Sequence, residues 1–147
     1  MYLLDTNVVS EARKIADGRS DMNLARWLAA QDTATLFISV VTVMELEIGV
    51  QRIERRDEAQ GLLLRTWLTD RVIPAFSGRI LPIDLETARI CASLHVPDPR
   101  AERDALIAAT ALAKRLTVVT RNLSDFQKAG VRLLDPWTVV LADYEDS

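Results

Sequence analysis

Four acids in this chain sit where an acid is costly. Asp5 follows the apolar run Tyr2-Leu3-Leu4, Glu45 lies within Val43-Met44-Glu45-Leu46, Asp104 opens Asp104-Ala105-Leu106-Ile107-Ala108-Ala109, and Asp125 comes shortly after Thr117-Val118-Val119-Thr120. A carboxylate at the rim of a core must be desolvated, which is expensive unless something positive meets it. Carboxylates with no His or Cys among them select hard cations, so these residue types point to Mg²⁺ or Mn²⁺ over Zn²⁺ or Cu²⁺. Crowded acids repel one another until a divalent ion relieves the repulsion, and the ion can then activate water against phosphorus. Metal-assisted phosphodiester hydrolysis is the reaction such a set permits.

Each acid also has a purely structural reading. Asp5 suits the N-cap of a helix that follows it, and Thr42-x-x-Glu45 fits a capping box. Asp104 complements a helix dipole, and Asp125 stands in a stretch with several possible caps, Asn122-Leu123-Ser124-Asp125. Against the capping of Glu45 stands Gly49, one turn further on. A glycine inside a helix costs about 1 kcal/mol relative to alanine unless close approach requires it, so something is expected to crowd that face. Asp84-x-x-Thr87 reads as an ordinary cap, His95 as a helix-end residue and Cys91 as core, and none of the three is assigned to the site.

The elements that must position these acids follow from the hydrophobic patterning. Tyr2–Leu4, Thr35–Val40, Ile80–Ile83, Thr117–Thr120 and Val131–Leu134 read as strands. Helices are expected over Thr6–Lys14, Asp21–Gln31, Thr42–Ile53, Asp57 to about Ile73, Leu85–Leu94, Arg100–Leu116 and Ser124–Ala129, punctuated by Pro74, Gly78, Pro97-Asp98-Pro99 and Gly130. Strands alternating with helices imply a three-layer α/β/α domain around a mostly parallel five-stranded sheet. In such a sheet the strand C-termini and the N-termini of the crossover helices share one edge, the usual ligand crevice. Asp5 at the end of the first strand, Glu45 and Asp104 in first helical turns, and Asp125 after the fourth strand all fall on that edge.

Composition bounds the rest. The 147 residues, 49% of them hydrophobic, suit one domain over residues 1–140 with 141–147 as a frayed tail. One Cys and one His exclude an internal disulfide and a zinc site built only from Cys and His of this chain, and they suit a reducing cytoplasm. Tyr2-Leu3-Leu4 runs straight into Asp5, which is no export leader, and no apolar run approaches the ~20 residues of a membrane span. The net charge of −3 does not advertise generic capture of nucleic acid. Two divalent ions at the acids would bring the formal balance to about +1, so a phosphate substrate stays open.

Four segments in order, Leu3-Leu4-Asp5-Thr6-Asn7, Ser39-Val40-Val41-Thr42-Val43-Met44-Glu45-Leu46, Asp104-Ala105-Leu106-Ile107-Ala108-Ala109-Thr110-Ala111 and Val119-Thr120-Arg121-Asn122-x-x-Asp125-Phe126, resemble the PIN-domain ribonucleases, in particular VapC toxins of FitB type. The likeness runs from Met1 to about Trp137, including Asp135-Pro136-Trp137. It implies Mg²⁺- or Mn²⁺-dependent cleavage of RNA by a type II toxin, held inactive by a cognate antitoxin and paired with a second copy of itself. By position it makes Asp5 and Asp104 the main metal ligands, Glu45 the third acid and Asp125 the fourth. Thr6, Asn7, Thr120 and Asn122 become groups that orient acids or water. Where some relatives carry another acid this chain has Asn122, so Asp125 either ligates directly or acts through water. Arg13, Lys14, Arg100, Arg103 and above all Arg121 are the candidates for RNA phosphates.

Two other functions compete. A phosphatase of haloacid dehalogenase type also ends its first strand on an Asp, but it needs a second Asp two residues on, where this chain has Asn7. A catalytically silent scaffold that binds only its partner would have no need to keep four acids. The segment 57–73, with its leucines and Trp67, is expected to serve antitoxin or subunit contact.

Overall fold

The structure is a computed structural model and describes residues 1–139; the tail expected beyond residue 140 lies outside them. Strands β1 (Tyr2–Leu4), β2 (Leu36–Ser39), β3 (Ile80–Leu81), β4 (Thr117–Val119) and β5 (Leu133–Leu134) form an all-parallel sheet in the order β3-β2-β1-β4-β5. Helices α1 (Thr6–Ala12), α2 (Met22–Ala29), α3 (Val40–Arg56), α4 (Glu58–Trp67), the short α5 (Ile73–Ala75), α6 (Leu85–Leu94) and α7 (Glu102–Lys114) cover it.

The pleat sorts the core into two layers, because successive strand residues point to opposite faces. Leu4 and Val119 pack with Val8, Leu24, Trp27, Leu46 and Val50 under α1 to α3. Leu3 and Val118 pack with Ile107, Ala108 and Ala111 of α7 on the other face. The alanines of α7 also let α6 lie close, with Cys91 against Ala105 and Ala109. This α/β/α layering is the expected one.

Most elements are a residue or more longer or shorter than expected, and three departures have a definite physical form. Helix α3 starts at Val40, not Thr42, because the Ser39 hydroxyl accepts from the Val41 amide at 3.0 Å and caps the helix earlier. Thr42 is thereby fully buried, and the proposed capping box with Glu45 does not form. The expected helix over 57–73 runs as α4, then a π turn over Leu68–Val72, then α5. Pro74 has no N–H and its ring crowds the preceding turn, which a widened turn accommodates. The expected helix over 124–129 is two short 3₁₀ turns, Leu123–Asp125 and Gln127–Ala129.

The sheet order also sets where a ligand crevice opens. From β1 the chain builds outward through β2 to β3, then returns to place β4 on the other side of β1. The C-terminal ends of β1 and β4 therefore flank the point where strand order reverses, the favoured ligand position in open α/β sheets.

Candidate metal and phosphate site

Asp5 ends β1 at that switch point and is only 5% exposed. As N-cap of α1 it accepts the Thr6 amide on Oδ1 at 2.8 Å; its Oδ2 accepts the Thr120 hydroxyl at 2.8 Å and Asn7 Nδ2 at 3.2 Å. The cap and the site reading thus coexist, since one carboxylate anchors the helix while facing the groove. Thr120 in turn accepts the Asn122 amide at 3.0 Å, and this leaves its own proton for Asp5. Asn7 Oδ1 accepts the Arg121 amide at 3.2 Å, so the loop after β4 is tied to the loop after β1.

Glu45 reaches the same groove from the second turn of α3, not the first. Its Oε1 accepts the Thr6 hydroxyl at 2.7 Å, and Arg103 stands 3.8 Å from Oε2. Thr6 has one hydroxyl proton and gives it to the carboxylate, so the 3.2 Å contact between Thr6 and the buried Thr42 is donated by Thr42. Thr6 alone therefore fixes two acids, Asp5 by its amide and Glu45 by its hydroxyl.

Asp104 occupies the first turn of α7 and is half-buried. Desolvation, then the charges of Asp5, Asp125 and Glu45, push its carboxyl up to about 6, with no hydrogen bond offsetting them. Burial also raises Asp5 above the ordinary carboxylate range; the Thr120 and Thr6 hydrogen bonds oppose this, and Glu45 and Asp125 add to it. Asp125 is exposed on its 3₁₀ turn, close enough to disfavour ionisation of both aspartates but outside the groove lining.

The groove holds about 510 Å³ and is lined by Asp5, Glu45, Asp104, Arg121, Asn122 and Trp137, with Asn7 and α1 residues along one side. The donor set is oxygen only. Among the described residues no three acids form a ready-made metal cage. A small hard cation does not require one, because Mg²⁺ binds through one or two carboxylates and keeps several waters. Two acids with raised proton affinity, one of them lacking any partner among the described residues, fit such an ion.

The basic candidates separate. Arg121 lines the groove with its guanidinium 5.3 Å over the Trp137 ring. Arg13 and Lys14 also line it, although Lys14 is paired with Glu11 at 3.1 Å. Arg100 is a correction: it donates to the Leu94 and Lys128 carbonyls at 2.8 and 2.7 Å, while its amide is accepted by His95 Nδ1, so it braces a loop. Asp84 caps α6, and hydrogen bonding from Thr87, with Lys114 adding to it, holds its carboxyl down at about 2, as a structural acid should be. Sequence reasoning missed Ser10 and Glu11 in the groove, yet Thr6, Ser10 and Arg13 at i, i+4 and i+7 form a helical stripe that was there to be read.

A sequence profile of the PIN domain matches residues 2–131. A VapC ribonuclease of Sinorhizobium fredii is 35% identical over 142 residues, covering 93% of this chain and 98% of the relative. Toxin FitB of Neisseria gonorrhoeae is 34% identical over 142 residues, 93% of this chain and 99% of the relative. The crystal structure of FitAcB from that organism superposes with a TM-score of 0.85 at 33% identity, covering 95% of this chain and 100% of that one. A toxin–antitoxin complex from Klebsiella pneumoniae follows at 0.65 and 26%, covering 95% and 100%. The chain belongs to the PIN-domain family, in the group that contains the VapC and FitB proteins. Among the described residues no helix is long and apolar enough to cross a membrane.

Proposed function

We propose that this chain is a Mg²⁺- or Mn²⁺-dependent endoribonuclease, the toxin of a type II toxin–antitoxin pair. The observation that carries the reading is the pairing of Asp5, wired by three neutral donors, with Asp104, left without a partner, in one groove at the switch point. Asp5 and Asp104 would hold the cation, with Glu45 at its margin and Asp125 acting from the exposed side. When bound, the ion lowers the pKa of a water and stabilises charge gathering on the phosphate.

The chain's own residues supply orientation. Thr6, Asn7 and Thr120 fix the carboxylates before substrate arrives, and Asn122 holds Thr120 in the matching direction. Arg121 lines the groove and would receive a phosphate oxygen there, its guanidinium held over Trp137. Ribonuclease activity in the Sinorhizobium relative and the toxin–antitoxin complex of the Klebsiella neighbour support RNA as substrate and an antitoxin as partner. Pairing with a second copy of the chain rests on the family likeness.

Purified, antitoxin-free protein should cleave total RNA with Mg²⁺ or Mn²⁺, stop with EDTA, and lose cleavage in Asp5→Asn while keeping its fold by circular dichroism. Equal cleavage by the variant would remove the metal-acid mechanism. No cleavage with any metal, and no metal binding by calorimetry, would leave a partner-binding scaffold.

A further inference from the structure

Beside the acids a second groove of about 350 Å³ opens between α1, α3 and α4 and shares Thr6, Ser10, Arg13 and Glu45 with the first. Its far end is different in chemistry. Leu46, Val50, Ile53, Leu64 and Trp67 give it apolar lining, and Arg52 and Arg56 join the shared Arg13 as its cations. Among the described residues none of the three arginines takes part in an ion pair. Arg13 instead lies 6.0 Å over the Trp67 ring.

Gly49 lines this groove from the interior of α3, where glycine disfavours a helix relative to alanine. None of the described residues supplies the crowding expected at Gly49, because a Cβ built there has nothing within 4 Å. Gly61, by contrast, is needed for packing: a Cβ there would fall 2.6 Å from the Glu54 Cα. The Gly49 backbone is therefore bare toward a groove that the protein does not fill.

We infer that this groove is a nucleotide subsite for the RNA strand as it leaves the acids, with an unstacked base lying on the Arg13–Trp67 pair and phosphates on Arg52 and Arg56. This rests on the ribonuclease reading. A strand whose phosphate sits at Asp5 and Asp104 must continue along the surface, and this groove is continuous with theirs. A second Arg–Trp pair, Arg121 with Trp137, lines the groove of the acids themselves, so each of the two adjoining grooves carries an aromatic–guanidinium pair. Flat aromatic and guanidinium faces stack single-stranded bases without regard to sequence, and free arginines neutralise the backbone. The substrate is then single-stranded on this side, since a duplex keeps its bases stacked inside.

The test is binding of a fluorescent oligouridylate of about twelve nucleotides to the full chain carrying Asp5→Asn, read by anisotropy over a range of salt. Gly49→Ala should weaken binding several-fold, and Trp67→Leu about tenfold with Trp67→Phe retaining most of it. Arg52→Gln with Arg56→Gln should weaken binding and make it less salt-dependent. Parent-like affinity and salt slope in folded Gly49→Ala and Arg52→Gln/Arg56→Gln would overturn the subsite, even with metal-dependent cleavage by the unmutated chain intact. So would variants that keep RNA affinity but lose a co-expressed antitoxin, which would make the groove a protein-docking site. Neither binding nor cleavage by the unmutated chain would overturn the ribonuclease reading together with the subsite.

Discussion

The rim of the sheet and the α3–α4 hairpin both gather carboxylates, with opposite results. In the hairpin, Glu47 and Glu54 share the Arg65 guanidinium, and that hydrogen-bonded cation holds Glu47 below its ordinary range. At the rim burial, with the neighbouring acid charges adding to it, pushes both aspartates up: Asp5 has three donors, all neutral, that only partly oppose this, and Asp104 has none among the described residues. The hairpin acids are given their cation by the chain, while the rim aspartates, the proposed metal ligands, are left uncompensated by any positive side chain among the described residues. Glu45 stands between the two cases, hydrogen-bonded by Thr6 and loosely faced by Arg103.

The sharpest way to break this contrast is Asp104→Asn. Removing a proposed metal ligand that the chain leaves uncompensated should cut RNA cleavage on the order of 100-fold or more while raising the thermal stability of the metal-free chain at pH 7. The sign follows from proton counting. A folded carboxyl at about 6 against about 3.9 unfolded binds more protons folded than unfolded between those values, so metal-free stability falls as pH rises through that window. Asp5, also raised, contributes in the same direction. Mg²⁺ competes with those protons, so cleavage should climb as pH passes about 6, and the metal should raise the melting temperature at pH 7 more than at pH 5. Scanning calorimetry of both proteins with and without Mg²⁺ reads this. A metal-free Asp104→Asn that melts lower than its parent at pH 7 would mean the acid is compensated after all.

The acids were legible because burial is written in sequence: Asp5 beside Tyr2-Leu3-Leu4 and Asp104 against Ala105 and Ala108 sit next to residues the fold hides. Topology then gathered three of them into one groove, and left Asp125 exposed at its edge. What local pattern could not show was long-range. Thr42 read as a cap because Thr-x-x-Glu is a capping signature, but Ser39 took the cap and the threonine turned inward to meet Thr6. Arg100 read as a rim cation because charge alone does not reveal that the Leu94 and Lys128 carbonyls will claim it. The helix expected over 124–129 is two 3₁₀ turns, because six residues are too few for periodicity to tell one from the other.

A smaller effect tests whether the rim's neutral donors orient the site. Thr120→Val keeps the shape but leaves Asp5 short of a donor and the Asn122 amide without its acceptor. The cost should be about 1–3 kcal/mol of stability, with activity falling roughly 10–100-fold as the carboxylate loses its aim. Thr120→Ser, which keeps the hydroxyl, should recover most of the activity. If Thr120→Val cleaves RNA as fast as Thr120→Ser, the hydroxyl packs the core and orients nothing.

The hairpin gives the smallest effects, and its two glycines should differ in sign. Gly61→Ala pushes a methyl into the Glu54 backbone, which cannot retreat without parting α3 from α4. Such overpacking should cost about 1–3 kcal/mol. Gly49→Ala meets nothing and replaces the poorest non-proline helix former, so it should gain about 0.5–1 kcal/mol. Urea melts of the two variants against the parent decide the matter. A destabilised Gly49→Ala would show that the protein itself needs the bare backbone, and the groove's glycine would then carry no argument for a ligand. A stabilised Gly49→Ala would leave a helix-weakening residue whose use lies outside the fold, on the side of the hairpin that faces the acids.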